Sequence, residues 1–358
     1  MAQFHIENVE IKGIAGSVPP RIEHTSDIPL YSKEKAKSVA ESTGVYQKHI
    51  ADIGITASDL CIDAAKNLLN NLNWEMETID VLVFVTQTPD YDNHPDAFIA
   101  HEKLGLKQDC LVLDLFHGCP GWVMGLATIS SLMNQCKFKR GLLLAGDCLT
   151  QTHYKLSPET RPLFGDAGSA TAIEFNDKSS GFTFDTGTLS KDGMSLVNAG
   201  GLGRARHPFT PETFLIDYEL KQGLRKASEE ESQMDGMSVF AFGLSKPPKS
   251  VKKLLENIGK DKEEIDYFVF HQANKLMVEK IASKLKLSSD KWPLSLPNYG
   301  NTVSASIPMT IVAECREKYQ TEHLKTIGCA FGTGLSWGSV YFETDKIICP
   351  PISIYKNE

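Results

Sequence analysis

The sequence predicts an α/β protein built from two copies of one helix-and-strand unit, packed as five layers. Three observations carry this. The chain has 358 residues, more than one simple barrel or sandwich fills, because single cores stop growing at roughly 250–300 residues. Apolar runs of strand length alternate with amphipathic stretches of helical length. One offset of 186 residues lays three separate pieces of the chain on three others.

In chain order, Lys66, Leu68, Leu69, Asn71 and Glu77 meet Lys252, Leu254, Leu255, Asn257 and Glu263. Each set belongs to an amphipathic helix with a short acidic loop after it. The apolar strand Ile79-Asp80-Val81-Leu82-Val83-Phe84 falls on Ile265-Asp266-Tyr267-Phe268-Val269-Phe270. Leu111–Phe116 is a further strand, and Trp122–Met133 a buried helix. Leu142-Leu143-Leu144-Ala145-Gly146 falls on Gly328-Cys329-Ala330-Phe331-Gly332, two strands ending in glycine, and Cys119 falls on Ala305. Chance similarity between ordinary βαβ segments is the competing explanation; one offset shared by three pieces favours duplication. Strands alternating with helices imply parallel sheets covered on both faces. The stretch Asp177–Lys246 is rich in Gly, Pro and charge (Gly200-Gly201-Leu202-Gly203, Pro208, Pro211, Glu229-Glu230-Glu231) and reads as loops and a cap beside a site. The expected organisation is an N-terminal half over 1–176 holding a nucleophile, an irregular connection over 177–246, and a C-terminal half over 247–358.

The composition, 41% hydrophobic and 23% charged with 27 Gly and 17 Pro, excludes a disordered or collagen-like chain. A net charge of −8 gives no global field for nucleic acid. The eight cysteines include no C-x-x-C pair, and the chain is too long for a disulfide-stapled miniprotein, so reduced thiols in a cytoplasmic setting are expected. Met1-Ala2-Gln3-Phe4-His5 has no signal-peptide character, and the longest apolar runs fall far short of a membrane span.

Four positions stand out chemically. Cys119 lies in His117-Gly118-Cys119-Pro120-Gly121, between a strand and a helix. The glycines permit a sharp turn and Pro120 suits a first helical turn, which places the cysteine at a helix N-terminus where thiolate is favoured. Attack on a carbonyl or thioester is the natural chemistry; a space-filling thiol is the bland alternative and fits the other seven cysteines better. His271 ends the second copy's strand in Phe270-His271-Gln272-Ala273-Asn274, at the carboxyl end where ligands of open α/β sheets sit; a hydrogen-bonded core histidine is the commoner case. Asn301, in Pro297-Asn298-Tyr299-Gly300-Asn301-Thr302, precedes a helix from about Ser304 to Lys318 and reads alone as a cap. A pseudo-twofold arrangement would bring this helix start and that of Cys119 to one site. Phe331-Gly332-Thr333-Gly334-Leu335 could aim backbone N–H groups at an oxyanion, or be a plain turn. Phe164-Gly165-Asp166-Ala167-Gly168 reads as a structural turn. No metal signature or phosphate loop is present, so neither metal nor cofactor is expected.

Together these segments resemble the β-ketoacyl-acyl-carrier-protein synthase III family of thiolase-fold condensing enzymes. The matching pieces are the cysteine elbow, Phe164-Gly165-Asp166, Met234-Asp235-Gly236, His271-Gln272-Ala273-Asn274, Asn298-Tyr299-Gly300-Asn301-Thr302 and Phe331 to Gly338, in family order over nearly the whole chain. The resemblance implies a thiolase-like duplicated five-layer αβαβα fold and a Cys119–His271–Asn301 triad. Cys119 would accept an acyl group from a thioester, with the N–H groups of Cys119 and the turn near Thr333 as oxyanion hole. His271 and Asn301 would hold the enolate formed when a malonyl thioester loses carbon dioxide. It also implies a homodimer.

Three departures follow from the same resemblance. The usual tryptophan and arginine that grip the coenzyme A adenine fall on Ser38 and Ser42, and a further arginine falls on Pro158, with Arg161 displaced nearby. A donor other than an acyl-CoA held in the usual way is therefore expected, on an acyl carrier protein or as another thioester. The dimer-loop position that limits the acyl pocket, usually phenylalanine, is His94; a solvent-facing loop histidine is the bland reading. The carrier-docking arginine falls on Leu276, with Lys275, Lys280 and Lys284 (and Lys286) as replacements; a solvated helix face is the commoner use of such lysines. Two alternatives remain: an acyltransferase in which Cys119 and His271 pass the acyl group to an alcohol or amine, and a non-catalytic partner subunit of a condensing enzyme, a kind of subunit that typically lacks the nucleophile.

Overall fold

Every side chain of the run Val81–Thr86 is buried, as in a strand covered on both faces. The computed structural model describes residues 2–153, 157–191, 196–197, 220–221, 224–225 and 233–356, and builds two sheets around such strands. In chain order these are β1 (Ala2–Ile6), β2 (Val9–Val18), β3 (Val81–Thr86), β4 (Leu111–Phe116), β5 (Arg140–Asp147), β6 (Ala167–Phe175), β7 (Phe182–Thr188), β8 (Tyr267–Phe270), β9 (His323–Gly332), β10 (Ser336–Asp345) and β11 (Ser353–Ile354). The helices that matter below are α1 (Lys33–Thr43), α2 (Ala57–Leu72), α3 (Asp96–Leu104), α4 (Gly121–Cys136), α5 (Gly236–Ile258), α6 (Lys275–Leu285) and α7 (Ser306–Thr310). The last continues through a π-helical segment, Ile311–Cys315, to Arg316–Thr321.

The first sheet has the order β11-β2-β6-β5-β3-β4, the second β1-β7-β10-β9-β8. Between them lies one apolar core in which Trp122, Leu126 and Ile129 of α4 and Ile307, Ile311 and Tyr319 of the α7 segment meet Val83, Leu143, Phe184, Val269 and Phe342. The Trp122 indole N–H donates to Thr171 Oγ1 at 3.0 Å, so the largest buried side chain keeps its polar edge satisfied. Helices α2 and α3 cover the outer face of the first sheet, α5 and α6 that of the second. Local signals start the outer helices: a Thr56–Asp59 capping box for α2, the Asp235 carboxylate for α5 and the Asn274 side chain for α6.

The five layers and the duplication are as expected. The 186-residue offset takes Val81, the first residue of β3, to Tyr267, the first of β8. Two expectations need correction. The sheets are mixed, not parallel: β3 runs parallel to β4 and β5, and β8 to β9, but β6 is antiparallel to both β2 and β5, and β10 to both β9 and β7. Among the described residues no crossover α-helix lies between β5 and β6 or between β9 and β10, and each pair closes antiparallel. The stretch expected to be irregular also holds regular structure: β7 is buried within the second sheet and α5 begins at Gly236. The Gly200–Gly203, Pro208, Pro211 and Glu229–Glu231 segments lie outside the described residues. The sheets exchange strands across the expected boundaries, since β1 belongs to the second sheet and β11 to the first.

Glycine is needed where β6 meets α2: a Cβ on Gly168 would run into the backbone of Leu60 and Cys61. Gly168→Ala is expected to lower unfolding stability by about 1–3 kcal/mol, read from the urea midpoint at unchanged m-value. An unshifted midpoint would mean that the helix–sheet contact is looser than described.

Candidate active site

Strand β4 ends at Phe116, and Pro120 closes the elbow by capping α4 at φ −77°, ψ 5°. Cys119 is thereby tucked against the end of β9, where a Cβ on Gly332 would come within 2.7 Å of its sulfur. Leu149, Phe164, Val303 and Leu163 form the apolar wall around the thiol. The backbone N–H groups of Cys119 and Thr333 lie near enough to the sulfur to favour its thiolate form. Burial pushes the thiol pKa up to about 12, the nearby Asp147 carboxylate adds to the rise, and the two N–H groups only oppose it. The expectation of a resting thiolate is therefore corrected: a helix N-terminus contributes about 0.3–1 kcal/mol, less than the cost of stripping water from a thiolate.

His271 leaves the end of β8 with its N–H on the Cys329 carbonyl at 2.8 Å. Its ring is buried, edge-on to Phe331 at 5.6 Å, with Nδ1 2.8 Å from Ser306 Oγ. Burial drives its pKa down to about 3, so the imidazole is neutral at physiological pH. Gln272 is pinned beside it, donating to the Phe270 carbonyl and accepting from the Ser295 N–H.

Asn301 is fixed by the turn that read as merely structural. Its N–H donates to the Leu163 carbonyl at 2.8 Å and its carbonyl accepts from Gly165 N–H at 3.1 Å. Its Oδ1 accepts from Val303 N–H at 3.0 Å. Gly300, at φ 65°, makes this possible: a Cβ there would lie 2.7 Å from the Leu163 carbonyl oxygen. With Oδ1 so engaged, Asn301 Nδ2 has no partner among the described residues, and neither has His271 Nε2. The two central helix starts converge as the pseudo-twofold argument expects, since a Cβ on Gly121 would be 3.2 Å from Ser304 Cβ.

Sequence reasoning missed Asp147, which is fully buried at the end of β5. Its Oδ1 accepts from Thr86 Oγ1, Gln87 N–H and Thr88 Oγ1, and its Oδ2 from the N–H and hydroxyl of Ser304. The one available signal was a carboxylate directly after the run Leu142–Gly146, at the carboxyl end of a buried strand. Of the other expected positions, His94 is exposed on the loop before α3, packed between Tyr91 and Phe98. Ser38 and Ser42 are exposed on α1, and the Pro158 carbonyl accepts from the Tyr31 hydroxyl. Arg161 turns its guanidinium to Glu23. On α6, Lys275 pairs with Glu279 at 3.9 Å, Lys284 donates to the Leu244 carbonyl and Lys280 is exposed. Cys136 is exposed at the end of α4, which corrects its reading as a packing residue; the other six cysteines beside Cys119 are buried. Among the described residues no His, Cys, Asp or Glu group could hold a metal, and no helix is long and apolar enough to cross a membrane.

A duplicated five-layer fold with a cysteine at one central helix start, and histidine and asparagine side chains around the other, defines a thiolase-fold condensing enzyme. Comparison with known proteins narrows this. Residues 113–193 match the family model for 3-oxoacyl-[acyl-carrier-protein] synthase III, and residues 255–344 the model for its C-terminal part. A putative 3-oxoacyl-[acyl-carrier-protein] synthase 3 of Campylobacter jejuni is 32% identical over 98% of both chains. The β-ketoacyl-[acyl-carrier-protein] synthase III of Clostridium acetobutylicum is 30% identical over 95% of this chain and all of its own. The crystal structure of a 3-oxoacyl-(acyl-carrier protein) synthase from Burkholderia xenovorans superposes with a TM-score of 0.89 at 31% identity, covering 98% of this chain and 99% of that one. The chain belongs to the 3-oxoacyl-[acyl-carrier-protein] synthase III family and is an acyl-transferring condensing enzyme of that type.

Because the resting thiol is protonated, iodoacetamide should alkylate exposed Cys136 well before Cys119 at about pH 7.5. The Cys119 rate should then climb about tenfold per pH unit through pH 10. Peptide mass spectrometry after timed alkylation checks this; a Cys119 rate that levels off below about pH 8 would show a thiolate instead.

Proposed function

We propose that Cys119 takes an acyl group from a thioester and condenses it with a malonyl thioester, releasing carbon dioxide and a 3-oxoacyl thioester. The observation that carries the reading is the pair of unpartnered nitrogens, His271 Nε2 and Asn301 Nδ2, each fixed by the hydrogen bond at the other end of its group, together with a Cys119 thiol that lies near the backbone N–H groups of Cys119 and Thr333. In the first half-reaction the Cys119 sulfur attacks the thioester carbonyl, and the N–H groups of Cys119 and Thr333 receive the developing oxyanion. The thiol proton leaves with the displaced thiol. In the second, the malonyl carboxylate departs as carbon dioxide and leaves its electron pair as an enolate. His271 and Asn301 hydrogen-bond the enolate oxygen. The α-carbon attacks the acyl-cysteine carbonyl, the tetrahedral oxyanion returns to the same two N–H groups, and collapse expels the Cys119 sulfur as a thiolate, which takes one proton from solvent. A neutral imidazole suits this role, because it donates without first being protonated.

The donor is proposed to be held by an acyl carrier protein. Ser38 and Ser42 offer the adenine end of coenzyme A neither a stacking ring nor a guanidinium, Pro158 offers no side-chain charge, and Arg161 is engaged by Glu23. A lost cation–π stack alone removes about 0.5–2 kcal/mol. Lys280, with Lys275 and Lys284, is proposed as the docking patch for the acidic carrier. The proposed oligomer is a homodimer through β4. Among the described residues this edge strand pairs only with β3, yet it is apolar, with Leu111 40% and Phe116 78% exposed, beside exposed Tyr91 and Phe98. An unprotected apolar edge is a pairing surface, and twofold pairing there would set each His94 loop against its neighbour.

Three outcomes test the reading. Intact-protein mass spectrometry with acyl-CoAs and acyl carrier proteins should show an acyl adduct that Cys119→Ala abolishes, formed faster from the carrier protein; loading from acyl-CoA alone would overturn the donor assignment. With adduct formed, His271→Ala and Asn301→Ala should each slow carbon dioxide release from a malonyl thioester by about 10²–10³. Acyl transfer to an alcohol or amine without carbon dioxide would favour the acyltransferase alternative. Leu111→Asp with Phe116→Asp should convert a dimer to a monomer in light scattering; an unchanged mass would place the interface elsewhere.

A further inference from the structure

Ser306, the first residue of α7, is buried and faces His271 across the two halves of the C-terminal motif pair. Its Oγ accepts the Gln272 N–H at 3.1 Å and lies 2.8 Å from His271 Nδ1. A serine hydroxyl has one hydrogen to give. Among the described residues Nδ1 is the sole acceptor within reach of that hydrogen, since the remaining contact of this oxygen is a backbone donor. The hydrogen therefore points at Nδ1, and a neutral ring that accepts at Nδ1 carries its own hydrogen on Nε2. Phe331 packs edge-on against the ring and holds it in the plane where this bond forms.

We propose that Ser306 is a positioning residue that fixes His271 as the Nε2–H tautomer, so that the nitrogen facing the substrate is a donor. The inference rests on the condensation reading for its catalytic consequence but not for its structural content. If the ring were instead Nδ1–H, its Nε2 lone pair would confront the enolate oxygen and repel it. Gln272 N–H takes part in the selection: by occupying one lone pair of Oγ it helps turn the hydroxyl hydrogen toward the ring. The same arrangement is silent in the loading half-reaction, where Cys119 and Thr333 N–H groups receive the charge. Ser306 thus separates the two half-reactions in a way that a merely structural residue would not.

The test uses the full-length protein labelled with [15N]histidine. Nitrogen-detected spectra should show His271 Nε2 as the protonated, pyrrole-type nitrogen and Nδ1 as pyridine-type. Ser306→Ala should bring in the Nδ1–H form and lower single-turnover condensation of acylated Cys119 with malonyl carrier protein by about 10- to 100-fold relative to loading. Ser306→Thr, which keeps the hydroxyl, should restore both the spectrum and the rate. A pyrrole-type Nδ1 in the unsubstituted protein overturns the proposal whether or not the protein condenses, and so does a Ser306→Ala spectrum and rate ratio unchanged from the parent. Absence of carbon dioxide release in the parent, with the Nε2–H spectrum present, would instead sink the condensation reading and leave the tautomer assignment standing.

Discussion

The site depends on one buried carboxylate. Asp147 stands at the end of β5, gathers the end of β3 through Thr86, Gln87 and Thr88, and reaches across to Ser304 just before α7. Five donors around two oxygens offset the cost of burying the group, which still raises its pKa to about 6. The two halves are thus tied by hydrogen bonds to one side chain at the end of the sheets where Cys119, His271 and Asn301 converge. Apolar packing of α4 against α7 brings the halves together, but it is non-directional. The carboxylate supplies the direction.

That tie has a chemical consequence. A negative charge beside Cys119 and a dry apolar wall both keep the free thiol protonated. In the proposed reaction the sulfur becomes reactive only as a thioester arrives and its oxyanion meets the two N–H groups. The protein thereby avoids a permanently reactive thiolate, while exposed Cys136 has no comparable protection. His271 is set the same way: burial removes its charge, and Ser306 lies against its Nδ1.

Much of this was legible in the chain. The 186-residue offset anticipated the correspondence of β3 with β8, of β5 with β9, and of the two central helices, because duplicated units keep their apolar spacing even where their chemistry has diverged. Cys119 and Asn301 were legible as candidates because each lies beside glycine near a helix start, and His271 because it ends a buried strand. The mixed sheet direction was not legible: an apolar run looks the same whether its neighbour runs parallel or antiparallel. Nor was the strand exchange of β1 and β11, since pairing between residues some 180 apart (β1 with β7) or 336 apart (β11 with β2) leaves no mark in either segment.

The sequence by itself determined the layer architecture, the family and the residue types available for chemistry, because periodicity and motif order are local properties of the chain. Only the tertiary structure decided their states. It made Cys119 a protonated thiol rather than a thiolate, since burial outweighs a helix terminus. It turned the Phe164-Gly165-Asp166 turn into the clamp on Asn301 and Ser306 into the partner of His271. Protonation state and hydrogen-bond direction belong to a residue's surroundings, and those are assembled from distant parts of the chain.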